Sequence, residues 1–211
     1  MMKRRDFVKS LPILAVAPAI LSHVQIEKVH VIAIGTAASR LIAQNSDVLK
    51  IDSITLITDT MPQGAKNHCH WIQYTPLASA YEVFDGRRFL KREIPKQLEL
   101  SDQVKQRLDN LKGRIILVAA LGRFTGTFMY SPIRNYLDSK GLKSEGLCSL
   151  PFAFEGSFWR EASVQVANSP QGDQSILDFE QLRSRIGNLS IRSAFRKADD
   201  WVLEELRRKL G

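Results

Sequence analysis

The stretch LGRFTGTF at residues 121–128 follows an apolar run with two glycines and two threonine hydroxyls, a combination suited to holding phosphate. Glycine lets a ligand approach the backbone, and a helix that begins at such a turn offers N–H groups and the positive end of its dipole. Gly122, Thr125, Gly126 and Thr127 are the candidate phosphate-binding residues, while Arg123, Phe124 and Phe128 put side chains where a cradle works best with glycine. A second small-residue turn, Gly35 and Thr36 in AIGTAAS, follows another apolar run in the same strand-turn-helix order. Asp59 stands at the distance from this turn where a dinucleotide-binding fold places its ribose acid, but the G-x-G-x-x-G pattern that would go with it is missing. His68, Cys69 and His70 invite a metal reading. On a strand the middle residue faces away from its neighbours and no fourth ligand lies nearby, so loop composition accounts for them equally well. Ser131 and Thr127 have no histidine at motif spacing. No catalytic residue and no metal site is assigned.

These residues need elements to position them. KVHVIAIG (28–35) reads as a buried strand, with Ala37, Leu41 and Ile42 at helical spacing after it. DSITLITDT is a second strand ending in Asp59, and residues 61–88 mix Pro, Gly and polar types as a long loop with a short helix. SDQVKQRLDNLKG is a helix capped by Ser101 and closed by Gly113, with Val104, Leu108 and Leu111 as its buried stripe. RIILVAAL is the third strand, YSPIRNYLDSKG a helix, EGLCSLPF the fourth strand and SILDF a candidate fifth. The last stretch carries Ile191, Phe195, Ala198, Val202, Leu206 and Leu210 at steps of three and four, with Ser190 at its cap. Phe152, Phe154, Phe158 and Trp159 read as core aromatics. Strands alternating with helices predict an α/β, doubly wound, Rossmann-like and mainly parallel sheet with helices on both faces, ending in a long helix.

With 211 residues, 44% of them hydrophobic, the chain can bury one sizeable core. Its net charge of +8 is partly local, because Lys3, Arg4, Arg5 and Lys9 stand against Asp6 in the first 22 residues. Elsewhere basic residues form only short patches, such as Arg87, Arg88, Lys91 and Arg92, without stacking aromatics between them, which argues against nucleic acid. Two cysteines, Cys69 and Cys148, make no disulfide framework. Residues 1–22 have the grammar of a signal: paired arginines, Phe7 and Lys9, a short apolar stretch from Leu11 to Leu21, and small residues near its end. A membrane span needs about 20 apolar residues, so no stable transmembrane anchor is expected. The organisation read from the sequence is a twin-arginine-like segment over 1–22, an α/β domain over 23–188 and a closing amphipathic helix over 189–211. Export to the periplasm is preferred to a cytoplasmic location.

Several blocks resemble, in order, the N-terminal half of the FtsZ/tubulin family. VIAIGTAASRLI is similar to its first strand and first glycine-rich loop, and LITDT to its second strand. ALGRFTGTF resembles its Gly-Gly-Gly-Thr-Gly-Thr-Gly signature, PFAFEG its Pro-Phe-x-Phe-Glu-Gly, and LSIRSAFRKADDWVLEEL its central helix. The resemblance implies a guanine-nucleotide domain using GTP or GDP with Mg, a site at Gly35, Thr36, Gly122, Thr125, Gly126 and Thr127, and Glu155 as the ribose contact. Departures are many. Arg40 replaces an asparagine, Arg160 lies one position from the family's arginine, KNHCHWIQYTP stands where a third glycine-rich loop belongs, and the base-reading asparagine is not evident. The acidic loop that follows the family's central helix has no counterpart before Gly211. The resemblance therefore implies weak GTP or GDP binding, without efficient hydrolysis or filament formation. The alternative is an exported binding or scaffold protein that keeps the fold for a protein partner.

Overall fold

Runs such as VHVIAI and RIILVAA leave no polar face, so as strands they must be covered on both sides. A computed structural model of the chain describes residues 27–74, 99–169, 172–187 and 189–211. The signal reading of residues 1–22, the cationic patch at 87–92 and the short helix expected within 61–88 beyond Tyr74 lie outside these residues. The described elements are β1 (Val29–Ile34), α1 (Thr36–Asn45), β2 (Ser53–Thr58), β3 (Cys69–Gln73), α2 (Asp102–Asp109), β4 (Arg114–Ala120), α3 (Phe124–Ser139), β5 (Ser144–Leu150), α4 (Ser157–Asn168), β6 (Gln174–Asp178), α5 (Phe179–Ile186) and α6 (Ile191–Leu210). A 3-10 turn at Ala153–Glu155 precedes α4.

The six strands form one parallel sheet in the order β3-β2-β1-β4-β5-β6. Alternate residues go to opposite layers, as the strand period demands. Val31, Ala33, Ile116 and Val118 face α1, α5 and α6, whereas Ile32, Ile34, Ile115 and Leu117 face α2, α3 and α4. The fold is therefore the doubly wound α/β sandwich expected from the sequence. Arg134, buried in α3, hydrogen-bonds the carbonyls of Ser144 and Asp173 at 3.1 and 3.0 Å and the Tyr130 hydroxyl at 3.0 Å, which ties the helix to the starts of β5 and β6.

Several local expectations need correction. The helix expected to close at Gly113 ends at Asp109, and of the aromatics read as core only Phe152 is buried, with Phe154 47% exposed. Cys69–Gln73, read as loop, is the edge strand β3, which buries Ile72 alone. Edge strands carry polar residues on their open side and so look like loop in sequence. The Thr-Gly-Thr triplet is not loop either, because α3 starts at Phe124 and takes the triplet into its first turn. In the first turn of α1 Ala38 and Ser39 are buried and Ala37 is exposed. Finally, Ile191 and Phe195 are 64% and 37% exposed although they lie in line with the buried Ala198, Val202 and Leu206. A 20-residue helix runs about 30 Å, whereas strands of five to seven residues cover roughly 17–23 Å, so the first turn of α6 overhangs the sheet.

Candidate functional site

Neighbouring strands β1 and β4 lead into helices on opposite faces, α1 on one and α3 on the other. Chains departing in opposite directions leave a crevice at the carboxyl ends of the strands, where doubly wound sheets hold ligands. A cavity of about 580 Å³ occupies this point. Pockets of about 300–1,000 Å³ are the size that takes small molecules. At its floor the two small-residue turns touch. Gly35 has φ +88°, and a Cβ there would stand 3.0 Å from the Gly126 nitrogen, while a Cβ on Gly126 would collide with the Ala120 carbonyl oxygen. Only glycines allow this approach of α1 and α3.

Of the residues expected from the sequence, Gly35, Thr36, Gly122, Thr125, Gly126 and Glu155 line the cavity together. Thr127 does not. It is fully buried, and its hydroxyl accepts a hydrogen bond from the Gly122 N–H at 2.9 Å, so it shapes the turn from beneath. Arg123 projects over the turn with its guanidinium 4.0 Å from Glu155, and Phe124 packs on Phe128 with ring centroids 4.8 Å apart. Both side chains stand at the rim of the cavity. Arg160 does not line it: it pairs with Asp178 at 2.8 Å and donates to the Pro151 carbonyl. Cys69 and His70 sit on β3, away from the cavity lining, and no group of three or more His, Cys, Asp or Glu able to hold a metal occurs among the described residues.

Helix termini give the site its electrostatic character. Ser101, Asp178 and Ser190 cap α2, α5 and α6 with side-chain oxygens. By contrast α1, α3 and α4 begin at Gly35, Arg123 and Gly156 with no side-chain cap and no acid in the first turn. The first two open into the cavity and the third starts beside Glu155 at its edge. Free N–H groups and dipole ends that converge in this way favour an anion.

Three carboxyls also reach the cavity, each with a partner. Burial works against ionisation of Asp59, but hydrogen bonds from Thr36, Thr58 and the Thr60 backbone hold its carboxyl below the usual range. Glu155 accepts from the Phe152 N–H at 2.9 Å. Asp199 stands 3.9 Å from Arg40, and burial lifts its carboxyl above the ordinary value, with Arg40 pulling it down and Asp200 pushing it up. Beyond these groups the cavity becomes apolar, with Leu147, Phe179, Phe195 and Val202. Phe179 and Phe195 both pack on Phe152, at 5.2 and 5.6 Å. Sequence reasoning missed Trp159, Phe179, Phe195, Asp199 and Val202 as site residues. Their spacing reads as ordinary core, and only the strand order brings them to the crevice.

No family model matches the sequence, and comparison with curated proteins finds no match. Solved structures do match. An FtsZ dimer from M. jannaschii, described as empty, aligns with a TM-score of 0.69 at 15% identity, covering 99% of this chain and 59% of that one. The FtsZ W319Y mutant from M. jannaschii gives 0.67 at 14% identity, with 87% and 56% covered. TubZ of Bacillus thuringiensis serovar israelensis, as a GTPγS-form protofilament, gives 0.52 at 10% identity, with 85% and 55% covered. The chain thus spans less than three fifths of these structures' length. At such identities the likeness is one of fold: the chain has the α/β architecture of the FtsZ/tubulin nucleotide-binding domain.

Proposed function

We propose that the crevice between β1 and β4 binds a guanine nucleotide weakly and turns it over poorly, in a degenerate member of the FtsZ/tubulin class. The observation that carries this reading is the meeting of two uncapped helix N-termini, those of α1 and α3, at one cavity whose far side is apolar. Phosphates would lie against the Gly35–Thr36 and Thr125–Gly126 turns, and the base between Phe195 and the carboxyl of Asp199. A carboxylate accepts two N–H donors, which the guanine edge offers and the adenine edge does not. The FtsZ and TubZ structures support the choice of ligand through shared fold. Weakness follows from Arg123 and Phe124 at the rim and from three carboxyls in a site for a polyanion. Mg would have to be held mainly by the phosphates, with Asp59 the nearest carboxylate to that end of the cavity. Turnover needs a group that positions water in line with the terminal phosphate. Asp59, Glu155 and Asp199 are each engaged by other groups.

The test is calorimetric titration of the full chain with GDP, GTP, ATP and guanosine in the presence of Mg. Saturable GDP and GTP binding at high micromolar to millimolar ligand is expected, with ATP and guanosine weaker and phosphate release at background. Asp199→Asn should narrow the preference for GTP over ATP. No saturable heat at millimolar GDP would overturn the reading and leave the exported scaffold, which uses the same fold for a protein partner, as the function to pursue.

A further inference from the structure

The overhanging start of α6 forms a surface that the nucleotide reading does not use. Ile191 and Leu189 are 64% and 42% exposed, and Phe154 beside them is 47% exposed. These three, with Ile186 and Ala194, wall one shallow depression of about 170 Å³. Apolar side chains grouped in this way on the surface mark an interaction site.

Cations outnumber acids around them, with Glu155 and Glu180 the acids alongside. Residues 181–198 hold Arg183, Arg185, Arg192, Arg196 and Lys197 and no Asp or Glu, and all five cations are exposed. On α6, Arg192 and Arg196 lie along one side of Ile191, whereas Lys197 points toward the far face of the helix, as helical spacing requires. Arg183 shares the nearest acid, Glu180, at 3.4 Å.

We propose that this patch docks the protein on an anionic phospholipid surface, with Leu189, Ile191 and Phe154 entering the headgroup layer and Arg183, Arg192 and Arg196 meeting lipid phosphates. Three features select this occupant. Lipid tails accept apolar side chains of any shape, and the depression is too small to seat a partner helix. Five apolar residues fall far short of the roughly 20–30 residues a side that a stable protein interface uses. A nucleic acid would meet the cations but gains little from exposed leucine and isoleucine, whereas apolar tips ringed by Lys and Arg are the pattern of interfacial membrane binding.

Full-length chain would be sedimented with vesicles of phosphatidylcholine alone and of phosphatidylcholine with phosphatidylglycerol in equal parts. Binding to the anionic vesicles only is expected. Arg192→Gln with Arg196→Gln should lower the partition constant about thirtyfold, from about a fivefold factor per cation. Leu189→Ser with Ile191→Ser should lower it by about tenfold or more. Residues 1–22 are the same in every variant, so they cancel in the comparison, and circular dichroism checks that each variant keeps its fold. As a positional readout, Ile191→Trp should be quenched by brominated lipid. Equal partitioning of parent and both double variants, no preference for anionic vesicles, or an unquenched Ile191→Trp would each overturn the proposal, and an acidic protein would then become the partner to seek.

Discussion

Asp199 shows how one side chain joins the candidate site to stability. In an unfolded chain an aspartate titrates near about 3.9. Here burial raises the value in the folded state, with Arg40 offsetting part of the shift. Below the unfolded value both states hold the proton and the residue contributes nothing. As the pH rises the unfolded chain ionises first, so ionisation favours unfolding, and the penalty is complete above the folded value. Asp199→Asn should therefore melt at a higher temperature than the parent at neutral pH, with the difference closing in acid. The lost partner subtracts little, because Arg40 is exposed and Asp199 only half-buried, and the same partial exposure keeps the expected gain small. A lower melting temperature for Asp199→Asn at neutral pH would show that the Arg40 contact outweighs the cost of burial. The same carboxyl illustrates what residue types conceal: in the sequence Asp199 and Asp200 look like an ordinary solvated pair, yet only Asp199 lines the cavity.

At the level of elements, the contact between α1, α3 and β4 sets the site. Glycine in a helix interior ordinarily costs up to about 1 kcal/mol relative to alanine, so Gly126→Ala would normally stabilise α3. Here the added methyl would collide with the Ala120 carbonyl at the end of β4. The sign should reverse, with a loss of about 1–3 kcal/mol in urea unfolding as α3 shifts off the sheet. A gain in stability would mean that the helix can move outward freely and that the crevice floor is soft. Strongly periodic elements were legible in sequence: β1, β2, β4 and β5 match their apolar runs, α2 starts where expected but stops short of Gly113, and Ser101 and Ser190 cap α2 and α6 as expected. The start of α3 was not, because residues in a first turn need no inward face and Thr-Gly-Thr carries no helical period. β3 was hidden for a related reason, since CHWIQ buries only Ile72.

For the whole molecule, destination bears on function as much as fold does. Among the described residues no helix is long and apolar enough to cross a membrane. We propose that residues 1–22 direct export of the folded domain through a receptor that reads the arginine pair. Arg4→Lys with Arg5→Lys keeps charge and apolarity, so simple attraction to an anionic membrane would survive it whereas receptor recognition would not. Cell fractionation should find the parent shortened and in the periplasm and the double variant full-length in the cytoplasm; identical cytoplasmic, uncleaved distributions would reject export. The sequence by itself determined the two small-residue turns, the apolar strands and amphipathic helices around them, and through their alternation the doubly wound sheet, because local period and composition suffice for each. It did not carry the strand order 3-2-1-4-5-6. That order decided that the Gly35 and Gly126 turns touch, that Thr127 is buried beneath the crevice, and that Phe179, Phe195 and Asp199 arrive from the far end of the chain to complete it. Contacts between residues far apart in the chain depend on which strands pair and which face each crossover takes, and no local pattern of residue types encodes that choice.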